Sequence, residues 1–445
     1  MHRILKPDIV IINGIVVTQD SVGEVIENGV VCVSGEKITY VGRPDDIDIR
    51  SADRVIDARG GIVMPGLINT HTHAAMSSFR GLADDLELMD WLNNYIFPAE
   101  TQLDYDNVYT GTMLACAEMM LSGTTCFCDM YLFEDAVAEA ARAAGMRAVV
   151  GEVLYDFDSP NYGSLAKGFE YTIDLIEKWH ADALISVAVE PHSPYLCSPE
   201  LLEKAAFLSE KYQIPLIIHL SETTEEKNTI IERYGRTPVA HLAEIDLLSP
   251  RVLACHCVVV DDNDIALLKQ RGANVSHNPE SNMKLASGIA PVPEMIAAGI
   301  CVGLGTDGPA SNNNLDMFME MDTAAKIHKV NLLDPTVMDA RMVLKMATRD
   351  AARALGLENV TGSLEVGKKG DIIIVDTKKP HMTPMYDVFS HIVYSASGSD
   401  VNTVLINGRL VVENGQLLTI NINEVMSGMQ VMADKIRRMH NWQLN

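Results

Sequence analysis

The sequence lacks the features that mark membrane and secreted proteins. It has no uninterrupted apolar run long enough to span a bilayer, although 47% of its 445 residues are hydrophobic. Its first residues, MHRILKPDIVI, contain a proline and an aspartate where a secretion signal needs an apolar stretch. We therefore expect a cytoplasmic protein with no membrane partner.

Positive charge is also scarce. The chain has 35 lysines and arginines against 60 aspartates and glutamates, which gives a formal net charge of −25, and no basic patch stands out. A protein of this charge repels the phosphates of nucleic acids and anionic lipids. The composition therefore argues against a nucleic-acid partner.

The eight cysteines do not form a recognisable framework. They are scattered through apolar surroundings, and the two C-x-C pairs, CFC and CHC, lie inside strand-like runs without the C-x2-C spacing of zinc sites. We expect them to be small buried hydrophobic residues and not disulfides or metal ligands.

The two ends of the chain share one sequence pattern, short β-rich runs separated by turns. Residues 8 to 60 form short β-rich runs separated by the turn signals Asn13-Gly14 and Ser34-Gly35, and the last 80 residues repeat the pattern with Asn407-Gly408 and Asn414-Gly415. This pattern predicts a small β-sandwich built from residues 1–63 and 366–445. The spacing of Val, Met and Ile in EVMSGMQVMADKIRRMHNW predicts a C-terminal helix.

Residues 64–365 alternate between apolar strands and helical segments such as ELLEKAAFLSEKY and NDIALLKQRG. Near-continuous apolar strands that alternate with helices predict a parallel sheet covered on both faces. Eight such units favour an α/β fold with a (β/α)8 TIM-like barrel over a doubly wound open sheet, because no G-x-G-x-x-G follows the first strand. The eight runs are IVMPGLINTHTH, TTCFCDM, AVVGEVLYD, ISVAVEPHSP, PLIIHLSE, VLACHCV, ANVSHNP and CVGLGTDG.

Polar residues recur where the predicted strands end, and in a barrel all these ends meet at one mouth. A single histidine is more often a hydrogen-bonded core or surface group, but chance rarely places so many at corresponding positions. His71 and His73 are two apart on one strand, so they point the same way and can hold one ion together. His277 could either line the mouth or hold a loop. The residues at the strand ends are His71, His73, His192, His219, Glu222, His256, His277 and Asp307.

This set of side chains predicts a metal. Three imidazoles and one carboxylate suit Zn2+, or less often Fe2+, with one position left for water. A second metal would need a bridging ligand, usually a modified lysine at the end of strand four. That strand ends in EPHSP, without a lysine. We therefore expect one divalent metal per subunit.

The sequence resembles the amidohydrolase superfamily, and within it the adenosine-analogue branch of 5-methylthioadenosine/S-adenosylhomocysteine deaminases. The likeness covers the whole predicted barrel and extends through GSLEVGKKGDIIIVD into the predicted sandwich. The stretches that carry it are MPGLINTHTHAAMSSFRG, DWLNNYIFPAE, EPHSPYLCS, HLSET, CHCV, SHNPESNMKLASGIAPV and GLGTDGPASNNNLDMFMEM.

The resemblance implies roles for most of these residues. Glu222 would shuttle protons, and His256 would hold the attacking water or the substrate together with Asp307. The metal ligands would be His71, His73, His219 and Asp307.

The resemblance also implies the substrate contacts. His192 would contact the sugar or purine N3, Glu100 would accept hydrogen bonds from the two ribose hydroxyls, and Trp91 would pack near the purine. Without the motif, Glu100 would be interpreted as a solvated helix residue and Trp91 as a core aromatic. The partner would be a small-molecule nucleoside, and we expect a homo-oligomer.

One region departs from the branch. Some members carry arginines after strand three that bind the homocysteine carboxylate, whereas here Arg147 precedes the predicted strand and the loop offers Asp156, Asp158 and Lys167. Acids there would repel a carboxylate. We therefore expect smaller 5′-groups (methylthio, hydrogen, hydroxyl) to be preferred over S-adenosylhomocysteine.

The function predicted is hydrolytic deamination of 5′-substituted adenosines to inosine analogues with release of ammonia. One alternative is a deaminase or hydrolase of another amino-heterocycle, such as guanine, a pterin or a triazine, on the same scaffold. The other is a non-catalytic scaffold with a vestigial barrel. The complete set of ligands together with Glu222 argues against this last alternative.

Overall fold

The computed structural model describes residues 7–44, 52–86 and 88–440. The first six residues of the predicted N-terminal piece and the end of the predicted C-terminal helix lie outside these ranges. Among the described helices, none combines the length and the hydropathy needed to cross a bilayer.

Strands from both ends of the chain share one sheet. Ile62–Pro65 pairs antiparallel with Ile372–Val375, which joins the N-terminal strands to the C-terminal ones. Within the described ranges the sheet has nine strands, and Arg54–Asp57 pairs at its side with Ile9–Val17. The other strands follow in the order Gln416–Leu417, Arg409–Glu413, Val401–Ile406, Ile372–Val375, Ile62–Pro65, Ile9–Val17, Val25–Ser34 and Lys37–Gly42.

The central strands are parallel, as the alternation of strands and helices predicted, but within the described residues they form two sheets and not one. The strands of the first are Leu67–Thr72, Thr124–Tyr131, Arg147–Leu154, Ile185–Val187 and Glu190–Pro191. Those of the second are Leu216–Leu220, Val252–His256, Asn274–His277 and Val302–Leu304.

The outer strands of the two sheets approach each other on both sides. Val189 forms a parallel bridge with Leu216. On the other side the Asp307 N–H donates to the His71 carbonyl at 2.9 Å. The carboxyl ends of all these strands therefore lie close together.

Helices connect these strands. The helix Asp262–Arg271 shows why they form where they do: Asp261 caps its first turn in a capping box with Asp264, and Gly272 ends it in the left-handed conformation. The α-helices are Leu88–Trp91, Phe97–Glu100, Tyr105–Leu121, Glu134–Ala144, Leu165–Trp179, Pro199–Tyr212, Thr224–Tyr234, Pro238–Glu244, Asp262–Arg271, Pro279–Lys284, Val292–Ala297, Met317–Leu332, Ala340–Met346, Arg349–Ala354, Val388–Tyr394 and Ile422–His440. Shorter turns are 3-10 at Ala74–Phe79, Pro380–Met382 and Gly398–Asp400, and π-helical at Leu92–Ile96.

The run IVMPGLINTHTH was predicted to be one strand, and this was wrong. The structure divides it at Gly66, so that Ile62–Pro65 belongs to the terminal sheet and Leu67–Thr72 to the first parallel sheet. A Cβ at Gly66 would lie 2.1 Å from the side chain of Thr125. The close approach of the neighbouring strand therefore requires glycine at the point where the chain changes sheets.

A buried ion pair fastens the terminal sheet to the central region. Arg147 Nε donates to Asp371 Oδ2 at 2.8 Å and Nη2 donates to Oδ1 at 3.2 Å. Asp371 Oδ1 also accepts the Asn407 N–H at 2.6 Å. Arg147 was predicted to precede the strand, but it is the first residue of Arg147–Leu154. Its side chain is therefore committed at the amino end of that strand, away from the carboxyl ends.

Candidate metal centre and substrate cavity

His71 and His73 face the same carboxylate, as their spacing predicted. His71 is the fifth residue of Leu67–Thr72, and His73 follows its last residue. Their Nε2 atoms lie 3.6 Å and 3.2 Å from Asp307 Oδ1. Asp307 lies in the loop after Val302–Leu304, where its φ is +60°. The two histidines and the aspartate come from the first and last central strands, which are neighbours in space.

Backbone carbonyls fix the orientation of two imidazoles. His219 Nδ1 donates to the His192 carbonyl at 2.8 Å, and His73 Nδ1 donates to the Met130 carbonyl. Because a carbonyl can only accept, Nδ1 carries a proton in both rings, which leaves Nε2 as the nitrogen that can bind an ion. Such a bond from the other ring nitrogen is typical of metal-ligating histidines. The two Nε2 atoms are therefore available as ligands.

His71 provides the strongest indication of a bound cation. The side chain is 0% exposed, and neither ring nitrogen has a hydrogen-bond partner. A buried polar group without a partner is costly unless something binds it. Two overlapping sets of candidate ligand atoms, each within 4.8 Å of one another, share this residue: His71 with His73 and His219, and His71 with His256 and Asp307.

The pKa values of the cluster favour a cation as well. Burial holds the pKa of His71 and of His219 well below the usual range, which keeps both imidazoles neutral. Burial opposes the charge of Asp307, but hydrogen bonding to His73 and the charge of His256 hold the pKa of that carboxyl well below its usual range. Burial likewise opposes a charged His73, yet Asp307 raises the pKa of His73 to about 9. The centre thus combines the neutral imidazoles of His71 and His219 with the carboxylate of Asp307, which attracts positive charge.

A cavity of about 310 Å³ opens over this cluster. That volume lies at the lower end of the range for small-molecule sites. His71 lies beneath it, fully buried, and every other residue predicted for the site lines it: His73, Trp91, Glu100, His192, His219, Glu222, His256 and Asp307. The structure therefore brings together all nine candidate residues.

Glu222 and His256 face the cluster from neighbouring strand ends. Burial raises the pKa of Glu222, while the charge of His256 opposes that effect. His256 Nδ1 contacts Asn282 Oδ1 at 2.9 Å, and its Nε2 lies 4.0 Å from Asp307 Oδ2. A carboxyl with a raised pKa beside an imidazole is a combination suited to proton transfer.

Glu100 is not the solvated residue that its position alone would suggest. It ends the helix Phe97–Glu100 and lines the cavity, where the Tyr131 hydroxyl donates to its Oε1 at 2.8 Å. Burial raises the pKa of Glu100 to about 7, against the opposing effect of the Tyr131 hydrogen bond. The sequence interpretation missed Tyr131, although it is the last residue of Thr124–Tyr131 and so follows the same strand-end rule as the histidines.

Burial lowers the pKa of His192 to about 3, so the imidazole is neutral. Its Nδ1 is 2.9 Å from Ser193 Oγ. Trp91 is 6% exposed beside the cavity. Both side chains are placed to contact a bound molecule.

His277 does not line the cavity. It is 1% exposed, and its Nε2 lies 3.1 Å from Nε2 of His328 on the helix Met317–Leu332. Of the two alternatives, a place at the mouth is therefore wrong, and the contact with His328 holds it inside the structure.

The loop after Arg147–Leu154 differs from its interpretation as an acidic wall. The carboxylate of Asp156 accepts hydrogen bonds from the Ser198 N–H and from Ser198 Oγ, at the start of the helix Pro199–Tyr212. Asp158 does line the cavity, beside Phe157, whose ring stacks on Tyr155 with centroids 3.9 Å apart. The wall is thus largely aromatic, with one acid.

Several known proteins resemble this chain over most of its length. The amidohydrolase family model matches residues 62–411. A 5-methylthioadenosine/S-adenosylhomocysteine deaminase of Syntrophobacter fumaroxidans is 56% identical over 97% of this chain and 99% of its own length. A 5′-deoxyadenosine deaminase of Methanosarcina acetivorans is 47% identical over 96% of this chain and 98% of its own. A crystal structure of an adenosine deaminase from Xanthomonas campestris with bound zinc superposes with a TM-score of 0.95 at 36% identity, covering 97% of this chain and 99% of the other.

Proposed function

The chain belongs to the amidohydrolase family, and we propose that it is a metal-dependent deaminase of 5′-substituted adenosines. It converts 5′-methylthioadenosine, S-adenosylhomocysteine, 5′-deoxyadenosine or adenosine to the inosine analogue and releases ammonia. The observation that carries the proposal is that Glu222, members of the histidine cluster and Glu100, the predicted ribose acceptor, all line one cavity. Relatives at 47% and 56% identity with names for these activities support it.

One divalent metal, zinc in our proposal, fits the cluster. His71, His73, His219 and Asp307 would hold it, since they offer three imidazole nitrogens and an ionised carboxylate. When bound, such a cation supplies Lewis acidity that makes a water nucleophilic at neutral pH.

The reaction adds water to C6 of the purine and breaks the bond from C6 to the exocyclic amine. Glu222 accepts a proton from the attacking water and delivers it to N1, which makes C6 electrophilic. His256 and Asp307 lie on the same side of the cavity and steady the oxygen that becomes bonded to C6. The remaining proton moves to the amine, which leaves as ammonia.

The remaining side chains orient the nucleoside. Glu100, fixed by Tyr131, accepts the two ribose hydroxyls, and neutral His192 contacts the sugar or purine N3. Trp91 packs near the purine. These contacts require a ribose as well as a base.

We further propose that the two parallel sheets form one (β/α)8 barrel over residues 64–365, with the chain ends as a β-sandwich. The contacts between outer strands support the barrel, and the core of Ile11, Val31, Ile374 and Leu405 supports the sandwich. A homo-oligomer stays a prediction.

A substrate panel tests the proposal. Among the described residues that line the cavity there is no lysine or arginine, and the wall near Phe157 offers the aromatic surface that a thioether prefers. We expect kcat/KM for 5′-methylthioadenosine or 5′-deoxyadenosine to exceed that for S-adenosylhomocysteine by roughly tenfold or more, the size of one missing charge-assisted contact. The adenine-to-hypoxanthine absorbance change measures each rate.

Two results would contradict this proposal at different levels. Equal kcat/KM for S-adenosylhomocysteine and 5′-methylthioadenosine would refute the preference for small 5′-groups. A preference for adenine, guanine, a pterin or a triazine over every nucleoside would refute the assignment to adenosine analogues.

Glu100→Ala should lower kcat/KM on nucleosides by on the order of 10²–10⁴-fold, the value of two hydrogen bonds to a charged acceptor. It should change little for free adenine, which has no ribose. Because the pKa of Glu100 is raised to about 7, the carboxylate form that accepts both hydroxyls is lost as the pH falls through that value. Affinity for the inosine product should therefore weaken below about pH 7 in the wild type. Glu100→Gln should remove this dependence.

A nucleoside affinity that follows the same pH curve in Glu100→Gln as in the wild type would show that another group titrates. Calorimetric binding of the product avoids the proton transfers of catalysis, so the test reports on the ribose contact alone.

A further inference from the structure

The carboxylate of Glu226 lies behind the loop that carries Glu222. Glu226 is the third residue of the helix Thr224–Tyr234 and is 4% exposed. Its Oε1 accepts the Ser221 N–H and its Oε2 accepts the Glu222 N–H, both at 2.8 Å. One buried side chain therefore holds two consecutive backbone groups of this loop.

This loop needs such support. Ser221 has a φ of +52°, a left-handed conformation that a residue with a side chain adopts only when surrounding contacts impose it. Ser221 follows the strand Leu216–Leu220, which carries His219, and its carbonyl accepts the Val259 N–H at 2.8 Å. The loop is thus held on one side by the segment that follows the strand Val252–His256 and on the other by Glu226.

The hydrogen bond at Glu222 reaches its backbone and not its carboxylate. Among the described residues the carboxylate is affected by burial and by the charges of His256, Asp307 and His73, while the N–H is bound by Glu226. The hydrogen bond from the Glu222 N–H to Glu226 therefore fixes the backbone from which the Glu222 side chain starts.

Helix capping alone does not account for this arrangement. In a capping box the third helical residue reaches back to the N–H of the cap residue. Here Thr223 is the cap and its Oγ1 accepts the Glu226 N–H at 3.2 Å, but the Glu226 side chain passes beyond it to the two preceding residues. The Glu226 carboxylate therefore binds the loop residues Ser221 and Glu222 and not the cap residue Thr223.

We infer that Glu226 is a positioning residue that sets the Glu222 carboxylate against the purine. The inference rests on the proposed function, because it assumes that Glu222 transfers the proton. Glu226 touches neither substrate nor reacting atoms; it acts through the backbone of Ser221 and Glu222. A misplacement of about 1 Å in a catalytic group can cost on the order of 10²-fold in rate.

Glu226→Gln tests the inference, with Glu225→Gln as the matched control. Glutamine keeps one accepting oxygen but turns an amino group toward the second N–H. The loop therefore loses one of the two hydrogen bonds that this side chain accepts. Glu225 is exposed on the same helical turn and accepts neither N–H. We expect kcat on 5′-methylthioadenosine to fall on the order of 10–10²-fold in Glu226→Gln. KM and metal content should stay close to wild type, and Glu225→Gln should behave as wild type.

A double-mutant cycle separates positioning from a general structural effect. Residues that act as one unit show non-additive losses. Glu222→Gln combined with Glu226→Gln should therefore be no slower than Glu222→Gln alone. If the second substitution slows the Glu222→Gln enzyme by the same factor as it slows the wild type, or if Glu226→Gln is as active as Glu225→Gln, the positioning role is refuted.

Glu226→Asp provides a second variant should Glu226→Gln fail to fold. It keeps the charge but withdraws the carboxylate by one methylene from both N–H groups, and the same loss of kcat is expected. Full activity of a folded Glu226→Asp enzyme would also refute the role. A wild-type chain inactive on every adenosine would instead refute the proposed function, a result distinct from these.

Discussion

Glu222→Gln will retain the metal and lose turnover. We expect kcat on 5′-methylthioadenosine to fall at least about 10²-fold, because the amide can neither accept the proton of the attacking water nor deliver one to N1. The side chain has nearly the same volume, so the cavity and the cluster beneath it should be unchanged. Fixed-time assays of ammonia release measure kcat, and elemental analysis of the same sample measures the metal content.

Glu225→Gln is the control for charge. It removes one carboxylate, as Glu222→Gln does, but from an exposed residue three positions further along the chain. A Glu222→Gln enzyme within a few-fold of the wild-type rate would show that another group transfers the proton. The next candidate for proton transfer would then be His256, whose Nε2 lies 4.0 Å from Asp307 Oδ2.

His219→Ala should abolish both metal binding and activity. The residue contributes one of the three imidazoles, and its Nδ1 contact with the His192 carbonyl leaves Nε2 free for the ion. Removing one of four ligands also leaves His71 buried without its ion. Elemental analysis should find about one divalent metal per wild-type chain, as a mononuclear site of this type holds, and far less in the variant.

His180→Ala is a suitable control, because His180 is exposed and its Nδ1 contacts only the Glu177 carbonyl among the described residues. Two stoichiometric metals in the wild type would contradict a single-metal centre. Full metal content in His219→Ala would remove His219 from the ligand set.

The sequence was sufficient to predict the parallel strands and the convergence of their carboxyl ends. Apolar runs separated by helical segments indicate both features, because the strands of a parallel sheet are covered by helices on both faces and are therefore apolar along their whole length. For the same reason His71, His73, His219 and Asp307 could be placed at the strand ends together with His192, Glu222, His256 and His277. The choice of these four as metal ligands rested on the resemblance to the amidohydrolase superfamily. The structure brings their side chains close together, while their roles stay predictions.

Other features could not be predicted because they depend on atoms far apart in the chain. Gly66 is required by the side chain of Thr125, which approaches it only once the strands pair. Asp156 looked like part of the substrate wall, but its carboxylate binds Ser198 at the start of a later helix. Glu226 has no motif of its own, and only its contacts with the loop of Glu222 reveal its use, whereas Tyr131 could have been found from its place at a strand end.

The pairing of Ile62–Pro65 with Ile372–Val375 has a consequence for synthesis of the chain. During translation the N-terminal strands leave the ribosome first, yet their neighbour in the sheet emerges only after the whole central region has been made. Until then one edge of the nascent sheet is unpaired, and unpaired edges promote aggregation. The buried Arg147 likewise has no ion-pair partner until Asp371 has been synthesised. A premature stop before Asp371 would therefore leave both an open edge and an unpaired buried charge, so such fragments should be insoluble although every residue of the cavity has been made.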